Sequence, residues 1–204
     1  MHRFVFEVAY FVGLARMAWH TDKPSSLLKA AVTSGRPNAG VRVLEVGCGL
    51  GTNSEWLATH AFNVTAIDLS KVAVRRAQRH LRRRGLRAKI YQADFLQGLK
   101  EDPFDVVFAR ATLHSFPRGE RRSLFAKRLA EQVKPEGLLL LAEMRHVPAI
   151  ARRNVAPYPV DRADLDELFG STFEITAVGE EFQRHPVLGK LPFAQWSLRR
   201  VGKN

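Results

Sequence analysis

Glycine stands at positions 47, 49 and 51, directly after the apolar run Val43-Leu44-Glu45-Val46 and directly before Thr52-Asn53, where a helix can start. Glycine lets a ligand approach the backbone closely, and a helix N-terminus offers unpaired N–H groups to a carboxylate or phosphate. The spacing is G-x-G-x-G, which departs from the G-x-G-x-x-G of dinucleotide sites, and no P-loop lysine follows. The next apolar run, Val64-Thr65-Ala66-Ile67, ends at Asp68, 17 residues beyond Gly51. A carboxylate at such a strand end can accept hydrogen bonds from both hydroxyls of a ribose. The run after that closes with Gln92-Ala93-Asp94-Phe95, a second carboxylate beside an aromatic, suited to an exocyclic amine and to the face of an adenine. Three consecutive strand ends thus converge on an adenosine-shaped ligand with an amino-acid-like tail.

Such convergence requires parallel strands whose C-terminal ends lie side by side. From position 41 onward, short apolar runs alternate with longer mixed stretches, the pattern of βαβ units around a mostly parallel sheet. Seven strands are expected, at 41–46, 64–67, 88–92, 106–109, 138–142, 173–178 and 193–199, with helices at 53–60, 71–84, 118–133 and 163–169. Ser70 and Asp161 suit N-caps, and Pro135 with Gly137 reads as the stop of the third of these helices. Two segments break the rhythm. Residues 1–34 precede the first strand and carry Trp19, His20 and an apolar stretch of helical length, so they can pack across an edge or over a pocket. The stretch 145–160, rich in proline and arginine, is longer and stiffer than an ordinary connection, which favours a role at a site over an idle surface insertion.

At 204 residues one domain is the default, and 46% hydrophobic with 25% charged residues excludes a disordered or fibrous chain. The single cysteine, Cys48, cannot build an intramolecular disulfide or a cysteine zinc site, so a reducing, cytoplasmic setting is expected. Inside the glycine turn this small side chain needs no redox or nucleophilic role. The apolar run 4–14 is interrupted by Glu7 and is too short to span a bilayer, which takes about 20 residues. Arg3 before it and Ala15-Arg16-Met17-Ala18 after it fit a signal peptide, but Glu7 and the lack of a disulfide framework argue against one.

The glycine turn, Asp68 and Asp94-Phe95, together with Phe104-Asp105-Val106-Val107-Phe108 and Lys134-Pro135-Glu136-Gly137-Leu138, resemble the motifs of class I S-adenosylmethionine-dependent methyltransferases over about residues 41–142. The fold this implies is α/β, a Rossmann-like seven-stranded, mostly parallel sheet with helices on both faces and a C-terminal antiparallel strand. The implied arrangement is a single methyltransferase domain over 1–204, with a helical lid at 1–34, a cofactor core at 41–142, a substrate-side loop at 145–160 and a closing helix and hairpin at 161–204. By the same resemblance Gly47, Gly49 and Gly51 wrap the methionine part of S-adenosyl-L-methionine, Asp68 holds the ribose, Leu69 packs on the adenine, and Asp94 with Phe95 holds its other edge. Glu45, Cys48, Asn53 and Arg110 complete the expected cofactor set. More narrowly, Trp19, Asp22-Lys23-Pro24-Ser25 and Phe108-Ala109-Arg110-Ala111-Thr112-Leu113-His114 are similar to the branch that includes thiopurine and tellurite-resistance-type methyltransferases of small molecules. Ala109, Ala111 and Ala18-Trp19-His20 depart from that branch, where an acidic residue, a glycine and Pro-Trp-Asp are usual.

In-line transfer to a sulfur, nitrogen or oxygen of a small acceptor needs proximity and a dry pocket more than a nucleophilic side chain. Arg110, just past the fourth strand, is a candidate cation for lowering the acceptor's pKa, or else a member of a buried ion pair. His114 is a candidate base, or a packed helix-start residue. Trp19 and His20 are candidates for lining the acceptor pocket. Glu143, His146 and His114 lack a His-x-x-x-His pair to set ligand geometry, so no metal is expected. The formal charge of +12, with 32 basic against 20 acidic residues, raises the alternative of an RNA or DNA methyltransferase. Arg75, Arg76, Arg79, Arg82, Arg83, Arg84 and Arg87 crowd the helix after Asp68 and its exit, opposite the apolar side, which reads first as a solvated face. No Asp/Asn-Pro-Pro-aromatic segment follows the fourth strand, and no aromatics interleave the arginines, so nucleic acid is not favoured. Because Ala109 replaces the acidic residue, a non-catalytic cofactor-binding partner protein is a third reading.

Overall fold

The computed structural model describes residues 3–13, 20–32, 40–145, 157–185 and 189–202. Trp19 and most of the proline-rich stretch, 146–156, lie outside them. The strands are β1 (Arg42–Val46), β2 (Asn63–Asp68), β3 (Lys89–Gln92), β4 (Phe104–Arg110), β5 (Val133–Met144), β6 (Phe173–His185) and β7 (Gly189–Arg200). They form one sheet in the order β3-β2-β1-β4-β5-β7-β6. All neighbours are parallel except β7, which runs antiparallel to both β5 and β6. The central strands are buried on both faces, which is why they read in sequence as unbroken apolar runs rather than alternating ones.

Helices α2 (Ser26–Val32), α3 (Thr52–Thr59) and α4 (Lys71–Arg83) cover one face through a core that includes Leu27, Leu57, Val74 and Leu81. On the other, α5 (Glu120–Glu131) and α6 (Arg162–Phe169) pack through Phe125, Leu129, Leu165 and Phe169. The N-terminal α1 (Arg3–Phe11) lies on the start of α4, with Ala9 and Tyr10 against Ala73. The chain goes from β1 outward to β3, then returns to β4 on the other side of β1. That reversal opens a crevice beyond the C-terminal ends of β1 and β4, the usual ligand position in open α/β sheets.

Ser70 caps α4, its Oγ accepting from Ala73 N at 3.2 Å. Asp161 and Asp164 form a reciprocal capping box on α6. Replacing Asp161 by alanine removes one acceptor of that box and is expected to cost about 1 kcal/mol, a fall in melting temperature of about 2–4 °C readable by thermal denaturation. The proposed stop at Pro135 and Gly137 is corrected by the structure. Helix α5 ends at Glu131, and both residues lie inside β5, beside the register shift where β4 pairs first Val133 and then Leu138. Glu136, between them, takes a φ of 59°, so the chain turns within the strand instead of ending the helix.

Candidate active site

The glycine turn bends back on β2: Gly47 N and Cys48 N both donate to Ile67 O at 2.9 Å. Gly47, Gly49 and Gly51 have φ values of 78°, 55° and 89°, a region that side-chain-bearing residues rarely enter. Their surroundings differ. A Cβ on Gly47 would come within 2.7 Å of Thr112 Cγ2, and one on Gly49 within 2.9 Å of Tyr10 Oη. At Gly51 the neighbours are Ala77 and Leu81 of α4, so this glycine serves close packing of two helices.

Asp68, at the end of β2, is buried and accepts Gly49 N on one oxygen at 2.9 Å and Ser70 N on the other at 2.8 Å. Burial pushes its carboxyl up to about 6, against the lowering effect of the Ser70, Gly49 and Leu69 N–H groups. Each carboxylate oxygen can accept more than one hydrogen bond, so a ligand hydroxyl can be added on either side. Leu69 beside it is half-buried, and its carbonyl accepts from Gln92 Nε2 at 3.0 Å. Asp94 is exposed and caps the following turn by accepting from Leu96 N at 3.1 Å. The Phe95 ring is turned into the core, edge-on to Phe125 at 5.2 Å, so it is spent on packing.

Glu45 and Asn53, expected beside the cofactor, hold each other. Glu45 accepts from Asn53 Nδ2 at 3.1 Å and from Ser54 Oγ, and burial pushes its carboxyl up to about 7. Asn53 Oδ1 in turn accepts from Ser25 N at 3.0 Å, tying α3 to the chain ahead of α2. Cys48 is buried, which pushes its thiol up and keeps it a thiol. His20 pairs with Asp22 at 3.1 Å, and Thr52 Oγ1 donates to Thr21 O at 3.0 Å, which sets this segment beside the start of α3.

Across the crevice, Arg110 Nε donates to Glu181 Oε1 at 2.5 Å, Nη2 donates to Gln183 at 3.1 Å, and the guanidinium lies 4.6 Å from the centre of the Phe193 ring. Glu181 Oε2 also accepts Ser25 Oγ at 2.9 Å, Ser26 N at 3.2 Å and Gln195 Nε2 at 2.9 Å. Burial alone would raise its carboxyl; Arg110 and the serines outweigh that and hold it below the ordinary value. Arg110 therefore occupies a buried ion pair, the second of its two sequence readings.

His114 is buried in the turn after β4, with Nδ1 2.8 Å from Glu143 Oε2 and 3.2 Å from the Met144 nitrogen. Glu143 also accepts Leu113 N at 2.9 Å and His114 N and Thr112 N at 3.2 Å. Burial raises this carboxyl, but the imidazole and these N–H groups prevail and keep it below its ordinary value, hence ionised. Nδ1 can accept from Met144 N or carry a proton for Glu143, not both; an ionised carboxylate only accepts, so the 2.8 Å contact is made by the tautomer with the proton on Nδ1, which leaves Nε2 for proton exchange. Tyr158 N donates to His114 O at 2.7 Å, so the described end of the proline-rich stretch reaches the same turn. Glu143 and Glu181 are the residues that sequence reasoning missed as parts of the site. An acid closing the apolar run Leu138-Leu139-Leu140-Leu141-Ala142 was the available signal for the first; Glu181 carries none.

Residues 43–137 match a family model described as a methyltransferase domain. The chain is 30% identical over 133 residues to a ribosomal RNA small subunit methyltransferase C of Alcanivorax borkumensis, covering 63% of this chain and 40% of that protein. It is 26% identical over 197 residues to a thiopurine S-methyltransferase of Vibrio atlanticus, covering 89% of each. The crystal structure of a magnesium protoporphyrin IX methyltransferase from Synechocystis PCC 6803 with bound SAH superposes with a TM-score of 0.73 at 18% identity, covering 97% of both chains. The chain spans 40 to 62% of the length of the first curated relatives it matches.

Proposed function

We propose that the chain, whose residues 43–137 match a methyltransferase domain, is a class I S-adenosylmethionine-dependent methyltransferase that transfers the methyl group of S-adenosyl-L-methionine to a sulfur, nitrogen or oxygen of a small molecule. The carrying observation is contact between two halves of one site: Gly47 of the ligand cradle abuts Thr112, two residues before His114. The residues fit the cofactor. The turn runs through φ values that glycine alone adopts readily, which gives a tight bend at the ends of β1 and β2, and beside it buried Asp68 presents a carboxylate for the ribose hydroxyls. Bound S-adenosylmethionine supplies an activated methyl on a sulfonium, so a protein nucleophile is unnecessary.

The protein's own part is orientation and proton handling. Asp68, held in place by Gly49 N and Ser70 N, takes the ribose, the glycine turn wraps the methionine part, and Asp94 and Leu69 border the adenine. Glu45 and Asn53 hold the start of α3 in place beneath the turn. On the acceptor side, His114 takes a proton at Nε2 while Glu143 holds Nδ1, and Arg110 with Glu181 clamps β4 and β6 to the start of α2. Arg110→Ala breaks that clamp on the acceptor side alone. It is expected to lower kcat/KM about tenfold or more while the dissociation constant for S-adenosylhomocysteine stays within about threefold. Equal losses in turnover rate and calorimetric affinity would move Arg110 out of the acceptor side.

The thiopurine S-methyltransferase relative, matched along 89% of both chains, supports a small-molecule acceptor. The direct test is methyl transfer from labelled S-adenosylmethionine to thiols, phenols and nitrogen heterocycles, with bulk RNA alongside. Labelling of a small acceptor is expected. Labelling of RNA alone would replace this reading, and cofactor binding without any transfer would make the chain a non-catalytic partner.

A further inference from the structure

Helix α1 has two apolar faces. One, with Phe6, Ala9 and Tyr10, packs on Ala73, Val72 and Leu50, and Glu7 fastens it by accepting Ser70 Oγ and Lys71 N at 2.8 Å. The other is bare. Val5, Val8, Phe11 and Val12 are 48%, 39%, 75% and 57% exposed, half of the eight large hydrophobic residues found exposed among the described residues. Their spacing puts them along one side of the helix and its exit. Beside them runs the outer face of α4, which contains no acidic residue and exposes Lys71, Arg75, Arg76, Arg79, Arg82 and Arg83. The side chains of Arg75, Arg79, Arg82 and Arg83 make no ion pair or hydrogen bond among the described residues. Arg76 Nη2 reaches Phe11 O at 3.5 Å, joining the apolar stripe to the basic face.

We propose that this combined face seats the protein on an anionic lipid surface, with Val5, Val8, Phe11 and Val12 entering the interfacial layer and the α4 arginines meeting the headgroup phosphates. A nucleic acid would satisfy the arginines but gives three valines and a phenylalanine nothing to bury in. A second copy of the chain would cover the stripe but would bring two unpaired arginine rows together, and like charges repel. An anionic bilayer answers both features: apolar insertion and charge attraction, each weak alone, add at one surface. No helix of the described residues is long and apolar enough to cross a membrane, so the mode is lying on the surface. This inference is independent of the methyl-transfer reading.

The test is co-sedimentation of the intact protein with phosphatidylcholine vesicles and with mixed phosphatidylcholine–phosphatidylglycerol vesicles, in low and high salt. Binding to the mixed vesicles is expected to be at least about tenfold tighter and to weaken with salt. Phe11→Asp, at a solvent-exposed position, and the triple variant Arg75→Glu, Arg79→Glu, Arg82→Glu are each expected to lose at least about tenfold in vesicle binding, with unchanged circular dichroism. Absence of binding to the mixed vesicles overturns the proposal. So does undiminished binding by Phe11→Asp, particularly with equal binding to RNA, because the arginines alone would then account for it. A dimer by gel filtration that Phe11→Asp dissolves, without vesicle binding, would hand the stripe to a second copy.

Discussion

Replacing Glu143 by alanine is expected to cost about 3–5 kcal/mol of folding stability and to leave no measurable methyl transfer. The carboxylate has no exposed surface, and it is the common acceptor for Thr112 N, Leu113 N, His114 N and the His114 ring at 2.8 to 3.2 Å. Each of those donors would be stranded in the interior, and a buried donor without a partner costs more than a made bond gains. The turn they belong to starts at Ala111, whose φ of 59° is itself unfavourable for a residue with a Cβ, so the bonds to Glu143 also hold a strained backbone. The carboxyl titrates below its ordinary 4.5 in the folded protein. Its contribution is therefore full above the unfolded value and is lost as pH falls through the folded one.

Because the alanine variant is close to the stability of a whole domain, Glu143→Gln separates positioning from folding. The amide keeps the shape and one acceptor oxygen but no longer stabilises an imidazolium. Cofactor affinity is expected to stay within about threefold, while kcat falls about tenfold or more with phenol or amine acceptors that must lose a proton. A thiol acceptor, which ionises on its own near neutral pH, should lose much less. Full activity of Glu143→Gln on every acceptor, with an unchanged pH profile, would remove His114 from proton transfer and reduce the pair to packing.

What the sequence disclosed followed from local rules. Leu138-Leu139-Leu140-Leu141-Ala142 and Val64-Thr65-Ala66-Ile67 are strands covered on both faces, so each is a visible apolar run, and Ser70 and Asp161 announce helix starts by residue type alone. The ends of the long strands were hidden because turn-forming residues lie inside them. Pro135 and Gly137 fall within β5, Pro192 pairs with Phe182 in the closing hairpin, and the register slips between Ala177 and Gly179. Gly49 and Asp68 were legible as neighbours because one crossover joins their strands, and they meet at 2.9 Å. Arg110 and Glu181 are 71 positions apart, and only the order β4-β5-β7-β6 brings them together. Phe95 shows the limit of residue type as a guide: an aromatic beside Asp94 suits an adenine, yet the core beneath α5 takes it.

Asp68→Ala is expected to weaken S-adenosylmethionine and S-adenosylhomocysteine about 100-fold. Two hydroxyl-to-carboxylate hydrogen bonds, at about 1.5 kcal/mol or more each, account for about 3 kcal/mol, and that is two decades in affinity. The substitution also frees Gly49 N and Ser70 N, so part of any loss could come from a loosened turn. Asp68→Asn addresses this, since the amide retains an acceptor for one of those N–H groups, and the pH dependence then isolates the charge. Burial holds the wild-type carboxyl near 6, and the form that accepts two hydroxyls is the ionised one. Wild-type affinity should therefore be steady above that value and fall about tenfold between pH 7 and pH 5, following the fraction ionised. The sign for the ligand-free fold is the reverse: a raised carboxyl favours the folded state at low pH, and that advantage fades as pH rises from 3.8 to about 6. Ligand-induced thermal stabilisation should accordingly grow with pH through the same window. Calorimetric titrations across it should give a sloping profile for the wild type and a flat one for Asp68→Asn, and two parallel slopes would mean that another group governs the cofactor.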